Sequence, residues 1–415
     1  MKHLRFDLFA ILLVTFSGSF GFGLVIPFLV ILITRFGGNS VIYGLVSAVY
    51  PLCQSISSPL LGKLSDTIGR KPILAISQAG TLIGWIVLLI SLFLPIQVFH
   101  RFHLPLLGIF SVTLPLVILS FARSIDGLTG GNVSVAQAYI ADISTERDRA
   151  SDYGKLSIAS NIGFIVGPAL AGLLSVTFLG EKLPVIFAIF ISLIALFFIL
   201  VYLPESHVGS KKKIIQDTRG SLATLLRIEP IRIMLFLYFV LYIGFNFFYV
   251  AFPVYATSLL HWSVTKMGIY FSLLSLLMII SQGPLLSIVA KRWNDAKLAM
   301  IGAVILGSNF LLITTGNEYL IYVAALFFAV GNGLMWPSIL SLLSKAAGEK
   351  YQGVVQGWAG SASGIASIIG LIAGGILFTF LKSGIFFIAA FFIYIVLVFS
   401  HQLLSIEKKK STSSQ

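Results

Sequence analysis

Twelve apolar runs follow one another along this sequence with only short polar breaks, at roughly 7–34, 41–62, 72–95, 115–139, 153–178, 183–203, 231–258, 265–290, 297–315, 319–343, 353–380 and 383–404. A run of roughly 20 apolar residues spans a bilayer as a helix. Backbone in lipid must satisfy its own hydrogen bonds, which leaves helices or closed barrels as solutions, and runs this long are read as helices. Of the 415 residues 57% are hydrophobic, 35 are Phe and only 10% are charged, against roughly 45–50% apolar in soluble domains. The chain therefore reads as an all-α polytopic membrane protein. Its opening, "MKHLRFDLFAILL", has the basic and apolar regions of a signal peptide, but apolar character continues through Pro27 to Ile33, beyond the roughly 7–15 residues of such a signal. It is read as a retained first helix. The single Cys53 excludes an internal disulfide and any Cys-rich metal site.

The net charge of +13 is distributed as an orientation signal. Of the 28 Lys and Arg, all but Arg35, Arg101, Lys182, Lys266, Lys382 and the intramembrane Arg123 fall on the side that holds both termini. An excess of Lys and Arg marks the cytoplasmic side, so both termini are expected there. Nucleic acid is not expected as a partner, since its binding patches cluster on one domain. The stretch "PIQVFHRFHLPLLGIFSVTLP", 95–115, is apolar enough for a thirteenth crossing. That crossing would move the basic 211–232 stretch outside, so 95–115 is expected to be an extracytoplasmic interfacial or re-entrant insertion. His100 and His103 within it lack carboxylate companions and read as solvated rather than as metal ligands.

The longest polar stretch, "PESHVGSKKKIIQDTRGSLATLLRIEP", lies at the midpoint and divides six runs from six. Pro27 and Pro59 are echoed by Pro253 and Pro284, and "PLLGKLSDTIGRK" by "PLLSIVAKRWNDAK". The expected organisation is a six-helix bundle over 1–204, a cytoplasmic linker at 205–230, a second bundle over 231–405 and a tail at 406–415. Parallel repeats of this kind build one large transporter fold, with its substrate site near the bilayer midplane.

The loop "GKLSDTIGRKP" concentrates charge between the second and third runs. With Gly62, Asp66, Gly69, Arg70 and Lys71 in register, it resembles the cytoplasmic signature loop of the major facilitator superfamily. That resemblance implies two pseudo-symmetric six-helix bundles and a gating role for the loop. Asp66 would sit at the N-terminus of a second-half helix, where the dipole favours an anion, and Arg70 would pair with Asp142 of "YIADIS". The alternative is a solvated, positive-inside loop. "RSIDG", Arg123 to Gly127, resembles the fourth-helix signature of proton-coupled members. "GFIVGPALAG", with Gly163, Gly167, Pro168 and Gly172, resembles the fifth-helix signature of drug/proton antiporters. Glycines admit close backbone approach and Pro168 removes a helix hydrogen bond, so both a functional bend and simple tight packing are open. With "LPES" after the sixth run and "GFGLVIP" in the first, the closest branch looks like the tetracycline-resistance-type exporters. One departure stands out: those exporters carry an acidic residue where this chain has Gly18.

The intramembrane charges are Arg123 and Asp126, with Asp7 only at an edge. Spaced i and i+3, they share a helix face, roughly 12–17 Å into the helix at 1.5 Å per residue. Ionisable groups in a bilayer are costly and point to function. Burial penalises the carboxylate while the guanidinium supports it, an opposition suited to a proton switch; a permanent neutralised pair is the other reading. By the resemblance, Phe22, Asn246, Tyr249, Asn332 and Trp336 are candidates for a central cavity, with Gln54, Asn161, Gln282 and Trp358 beside them. Such aromatic and amide groups suit an apolar, partly polar organic molecule.

No His, Asp, Glu or Cys cluster within the runs is placed for membrane enzymology, and no cofactor is implied. The expectation is a secondary transporter, foremost a proton-coupled antiporter that exports a drug-like or amphiphilic organic molecule. Import or facilitated diffusion of a metabolite or sugar is the alternative. The expected partners are the small-molecule substrate, protons and the lipid bilayer, for a monomer. Compact size and short loops fit a bacterial inner membrane.

Overall fold

The computed structural model describes residues 6–105, 107–130, 132–144, 149–206 and 222–413. The order of elements is α1 (Phe6–Arg35), α2 (Ser40–Ile68), α3 (Arg70–Ser91), β1 (Val98–Leu104), β2 (Gly108–Thr113), α4 (Leu114–Thr129), α5 (Asn132–Ile143), α6 (Arg149–Ser175), α7 (Lys182–Tyr202), α8 (Leu222–Leu226), α9 (Glu229–Ser258), α10 (Val264–Ile280), α11 (Leu286–Val289), α12 (Asp295–Ile313), α13 (Glu318–Leu381), α14 (Ile385–Val398) and α15 (Ser400–Ser413).

All twelve apolar runs are helical. Among the described residues ten helical stretches are individually long and apolar enough to cross a membrane, and two local features account for the difference. The fourth run is broken after Thr129 into α4 and α5, each too short to cross alone. The last two runs form one continuous stretch, Val354–Val398, joined by a single 3₁₀ turn at Lys382–Gly384. Within α13 the helix is interrupted at Gly348, whose φ of 60° and ψ of −179° lie where a side chain would be strained. A π-helical turn at Ser281–Leu285 carries Pro284 between α10 and α11. The short polar breaks serve as caps: Asn39, Asn294 and Asn317 accept backbone N–H groups at the starts of α2, α12 and α13, donors that neither the helix nor lipid can satisfy.

The interfacial or re-entrant insertion expected at 95–115 is built as an antiparallel hairpin, with Phe102 opposite Phe110 and His103 opposite Ile109. Three residues apart on a strand, His100 and His103 point to opposite faces and do not converge on one metal.

The chain forms two compact units, Met1–Lys213 with Trp262–Ser272, and Ile214–His261 with Leu273–Gln415. Most of the expected linker lies outside the described residues. The first half of α10 groups with the first unit because Gly268 meets Gly172 backbone to backbone, and Ser272 Oγ donates to the Ala169 carbonyl at 3.1 Å. In the first unit, Ile11, Val14, Ile73, Leu74, Val135, Tyr139, Ile140, Leu156 and Ile199 form a buried core between α1, α3, α5, α6 and α7. In the second, Gly302 of α12 packs on the backbone of α13 at Gly331 and Met335, and Gly244 of α9 packs on α14 at Ala389 and Phe392. Lipid offers apolar groups no gain from association with each other, so such helices are held by close small-residue packing and internal hydrogen bonds.

Candidate functional site

The break between α4 and α5 is the start of the site. It frees carbonyls that lipid cannot satisfy, and neighbouring side chains take them up. Gln54 Nε2 donates to the Gly130 carbonyl at 2.8 Å and Ser77 Oγ to the Thr129 carbonyl, while Ser57 Oγ at 3.1 Å joins the Gly130 N–H on the Gly127 carbonyl. Helices α2 and α3 come this close because their contacts with α4 are small. A Cβ on Gly127 would meet the Tyr50 carbonyl at 2.6 Å, and one on Gly84 would meet Asp126 Cβ at 3.1 Å.

One helical turn before the break lies the buried ion pair. Arg123 is 4% exposed and Asp126 7%, and Arg123 Nη1 meets Asp126 Oδ2 at 3.0 Å. Thr81 of α3 stands beside the same carboxylate. The Tyr50 ring covers the guanidinium, with Cζ 4.8 Å from the ring centroid, and its hydroxyl accepts from Gln54 Nε2 at 3.1 Å. Arg123 Nε has no hydrogen-bond partner among the described residues. At the start of α5, Asn132 is 2% exposed, and a Cβ on Gly18 would lie 3.6 Å from its amide nitrogen. A glycine of α1 thus stands beside a buried amide of α5.

The charged stretch read as a loop is almost wholly helical: it forms the last turns of α2 and the first turn of α3, with Gly69 alone between them. Arg70, 7% exposed, makes three side-chain contacts: Nη1 with Asp66 Oδ1 at 2.6 Å, Nε with Asp142 Oδ2 at 3.0 Å, and Nη1 with Ser65 Oγ at 2.6 Å. Asp66 is thus engaged with Arg70 four residues on. Gly69, with φ of 113°, makes the turn between α2 and α3, and the Glu205 carboxylate fills the space where its side chain would stand. Glu205 accepts from the backbone N–H groups of Arg70 and Lys71 at 2.8 and 3.1 Å, an anionic cap on the N-terminus of α3. Lys71 Nζ reaches the Leu200 carbonyl at 2.9 Å, and Gly62 has open space beside it.

The fifth-run glycines pack on α1. A Cβ on Gly163 would lie 2.6 Å from the Phe16 carbonyl, and one on Gly167 would lie 2.6 Å from the Phe20 carbonyl; Pro168 Cδ stands 3.0 Å from the Cβ position of Gly23. Each of these residues thereby has a packing role.

The cavity candidates fall into a group in each unit. In the first, Phe22 lies 5.6 Å from Tyr50 and 5.4 Å from Phe164; Gln54 belongs to the ion-pair network, and Asn161 is exposed. In the second, Trp336 is ringed by Tyr238, Tyr242 and Phe245 at 5.4, 4.9 and 5.5 Å. Asn246 Nδ2 donates to the Tyr242 carbonyl at 2.7 Å and to Ser367 Oγ at 3.2 Å. Asn332 is buried, while Tyr249, Gln282 and Trp358 are partly exposed. Sequence reasoning missed Tyr50, Thr81, Asn132, Tyr238 and Tyr242. It also missed a second charged cluster, in which Lys345 Nζ meets Asp295 Oδ2 at 2.7 Å and pairs with Glu407. Aligned on "PLLGKLSDTIGRK", the repeat "PLLSIVAKRWNDAK" has Asp295 at the sequence position that corresponds to Arg70, and that correspondence was the available signal.

Helices of lipid-crossing length, with a buried ion pair packed among them and charged turns joining some of them, make this a multi-pass membrane protein. The Major Facilitator Superfamily model matches residues 11–371 and 234–414, and the chain belongs to that family. It is a multi-pass membrane transporter and not an enzyme. It is similar to the tetracycline resistance protein, class H, of Pasteurella multocida, with 27% identity over 380 residues covering 90% of this chain and 88% of that one. It is also similar to the human hippocampus abundant transcript-like protein 1, with 26% identity over 380 residues, 88% of this chain and 70% of that one. Among solved structures, a D-xylose-proton symporter matches with a TM-score of 0.73 at 17% identity, covering 95% of this chain and 97% of that one.

Proposed function

We propose that this transporter is a proton-coupled antiporter that exports an amphiphilic, drug-like organic molecule by alternating access. The observation that carries the reading is the buried Arg123–Asp126 pair beside a broken helix. A carboxylate in lipid needs its counter-ion, so a conformational change that separates the pair would drive Asp126 to take up a proton, and re-forming the pair would release it. Arg123 is the electrostatic partner and Tyr50 the wall that keeps it in place. The aromatic groups around Trp336 and Phe22, with Asn246, Asn332 and Gln54, are the substrate-binding candidates. Their neutral, flat surfaces suit a largely apolar solute. Arg70, Asp66 and Asp142 form the latch of the cytoplasmic gate, with Gly69 making its turn, Lys71 in the first turn of α3 and Gly62 in the last turns of α2. Both termini lie in the cytoplasm of a bacterial inner membrane, and the protein works as a monomer.

The test uses everted membrane vesicles with an imposed proton gradient, challenged with a panel of amphiphilic compounds while lumenal pH is followed. Compound-dependent proton efflux in the wild type that disappears in a folded Asp126→Asn variant is the expected result. Efflux that survives the substitution removes Asp126 as the carrier. Silence toward every amphiphile, together with uptake of a sugar or metabolite, overturns export.

A further inference from the structure

From Leu92 to Thr113 the chain carries no acidic residue, yet it holds His100, Arg101 and His103. The same segment leaves apolar side chains in the open: Phe93, Ile96, Val98, Phe99, Leu104 and Ile109 are between 41% and 65% exposed. It is nevertheless held in place. Asn39 Nδ2 donates to the carbonyls of Leu107 and Ile109 at 2.7 and 3.2 Å, the Ser111 N–H donates to the Gly37 carbonyl at 2.8 Å, and Thr113 Oγ1 donates to the Phe36 carbonyl at 2.7 Å. These bonds turn β2 toward the bundle, where Phe110, Ser111 and Thr113 are buried, while β1 is exposed at every residue but Phe102.

Position says what meets the exposed side. The hairpin leaves α3 at Ser91 and enters α4 at Leu114 directly from β2, and both helices belong to membrane-crossing runs, so their ends mark the bilayer surface. Apolar and aromatic groups settle at that boundary, and a cation there attracts anionic headgroups lying within a Debye length. Glu181, the acid that follows α6 at this end, is already taken by Arg35 at 2.6 Å. Lys182 adds a cation over the Phe93 ring at 4.2 Å.

We infer that the β1–β2 hairpin is a membrane-interface anchor, its apolar side chains entering the acyl boundary and Arg101 and His103, which share a strand face with Phe99 and lie beside Ile109, holding anionic lipid headgroups of that leaflet. The arrangement is the strand counterpart of an interfacial amphipathic helix, in which buried apolar area and attraction to anionic lipid act together.

The test places one cysteine at Phe99 or Ile109 in full-length Cys53→Ala protein, labels it with an environment-sensitive fluorophore, and uses Lys291→Cys as a control. The protein is reconstituted in brominated phosphatidylcholine, alone or mixed equally with brominated phosphatidylglycerol. Both hairpin labels are expected to be quenched about threefold more than the control, and more strongly with phosphatidylglycerol. The added quenching is expected to disappear in the Arg101→Gln, His103→Gln double variant and to survive in His100→Gln. Labels that emit as in water, or quenching indifferent to phosphatidylglycerol, overturn the inference. So does cross-linking of the position 99 cysteines between copies, which would make the face a self-association surface. Phe99→Trp in the otherwise native chain, read as the increment over the native tryptophans, gives the same answer if the cysteine-free protein does not fold.

Discussion

A single helical turn holds both charges of the buried pair, and their burial decides what each substitution does. Asp126→Asn leaves Arg123 enclosed with its charge unanswered and its Nε already without a partner. Removing one member of such a pair costs about 3 kcal/mol, and a lowered thermal unfolding midpoint of purified protein is the check. The double variant Arg123→Met, Asp126→Leu removes both charges and is expected to unfold closer to wild type than Asp126→Asn does, while losing proton-coupled flux. That separation of stability from coupling distinguishes a switch from a fixed structural pair. Tyr50→Leu is expected to cost about 1 kcal/mol through the lost cation–π contact, with a further effect through Gln54, whose amide bridges Tyr50 and Gly130.

Helices and turns set the second scale. The glycines of the "GFIVGPALAG" and "GKLSDTIGRKP" motifs look alike in sequence but differ in surroundings. Gly163→Ala must push against the Phe16 carbonyl, so yield and unfolding temperature are expected to fall. Gly62→Ala meets nothing within 4 Å, and helix propensity is expected to raise stability by up to about 0.5–1 kcal/mol. Comparing the two unfolding midpoints checks both. Glu205→Gln keeps the shape of the cap on α3 but drops its charge, and a loss of about 0.3–1 kcal/mol is expected. The twelve runs and the polar breaks between them were legible because period and length alone distinguish a lipid-crossing helix. The break after Thr129 was not, since "TGGN" gains its meaning only from Ser57, Gln54 and Ser77 arriving from other helices. The hairpin was legible as a non-crossing insertion through charge bias, but not as strands.

At the level of the whole chain the two units each place a charged cluster where α3 and α12 begin: Arg70 with Asp66 and Asp142, and Lys345 with Asp295 and Glu407. Lys345 ties the start of α12 and the end of the first part of α13 to α15. Lys345→Met is expected to leave Asp295 and Glu407 facing each other and to speed hydrogen exchange through α15, with the α1 core unchanged, as read by exchange and mass spectrometry. By itself the sequence determined that this chain is a twelve-run helical membrane protein of the major facilitator superfamily, because hydrophobic length and motif register are local properties that need no third dimension. It also determined that Arg123 and Asp126 share a face, because 3.6 residues per turn requires it. Tertiary structure alone decided what encloses that pair, which carboxylate caps α3, and that Gly18 faces Asn132. Those are contacts between residues far apart in the chain, chosen by packing, and no spacing along the sequence encodes them.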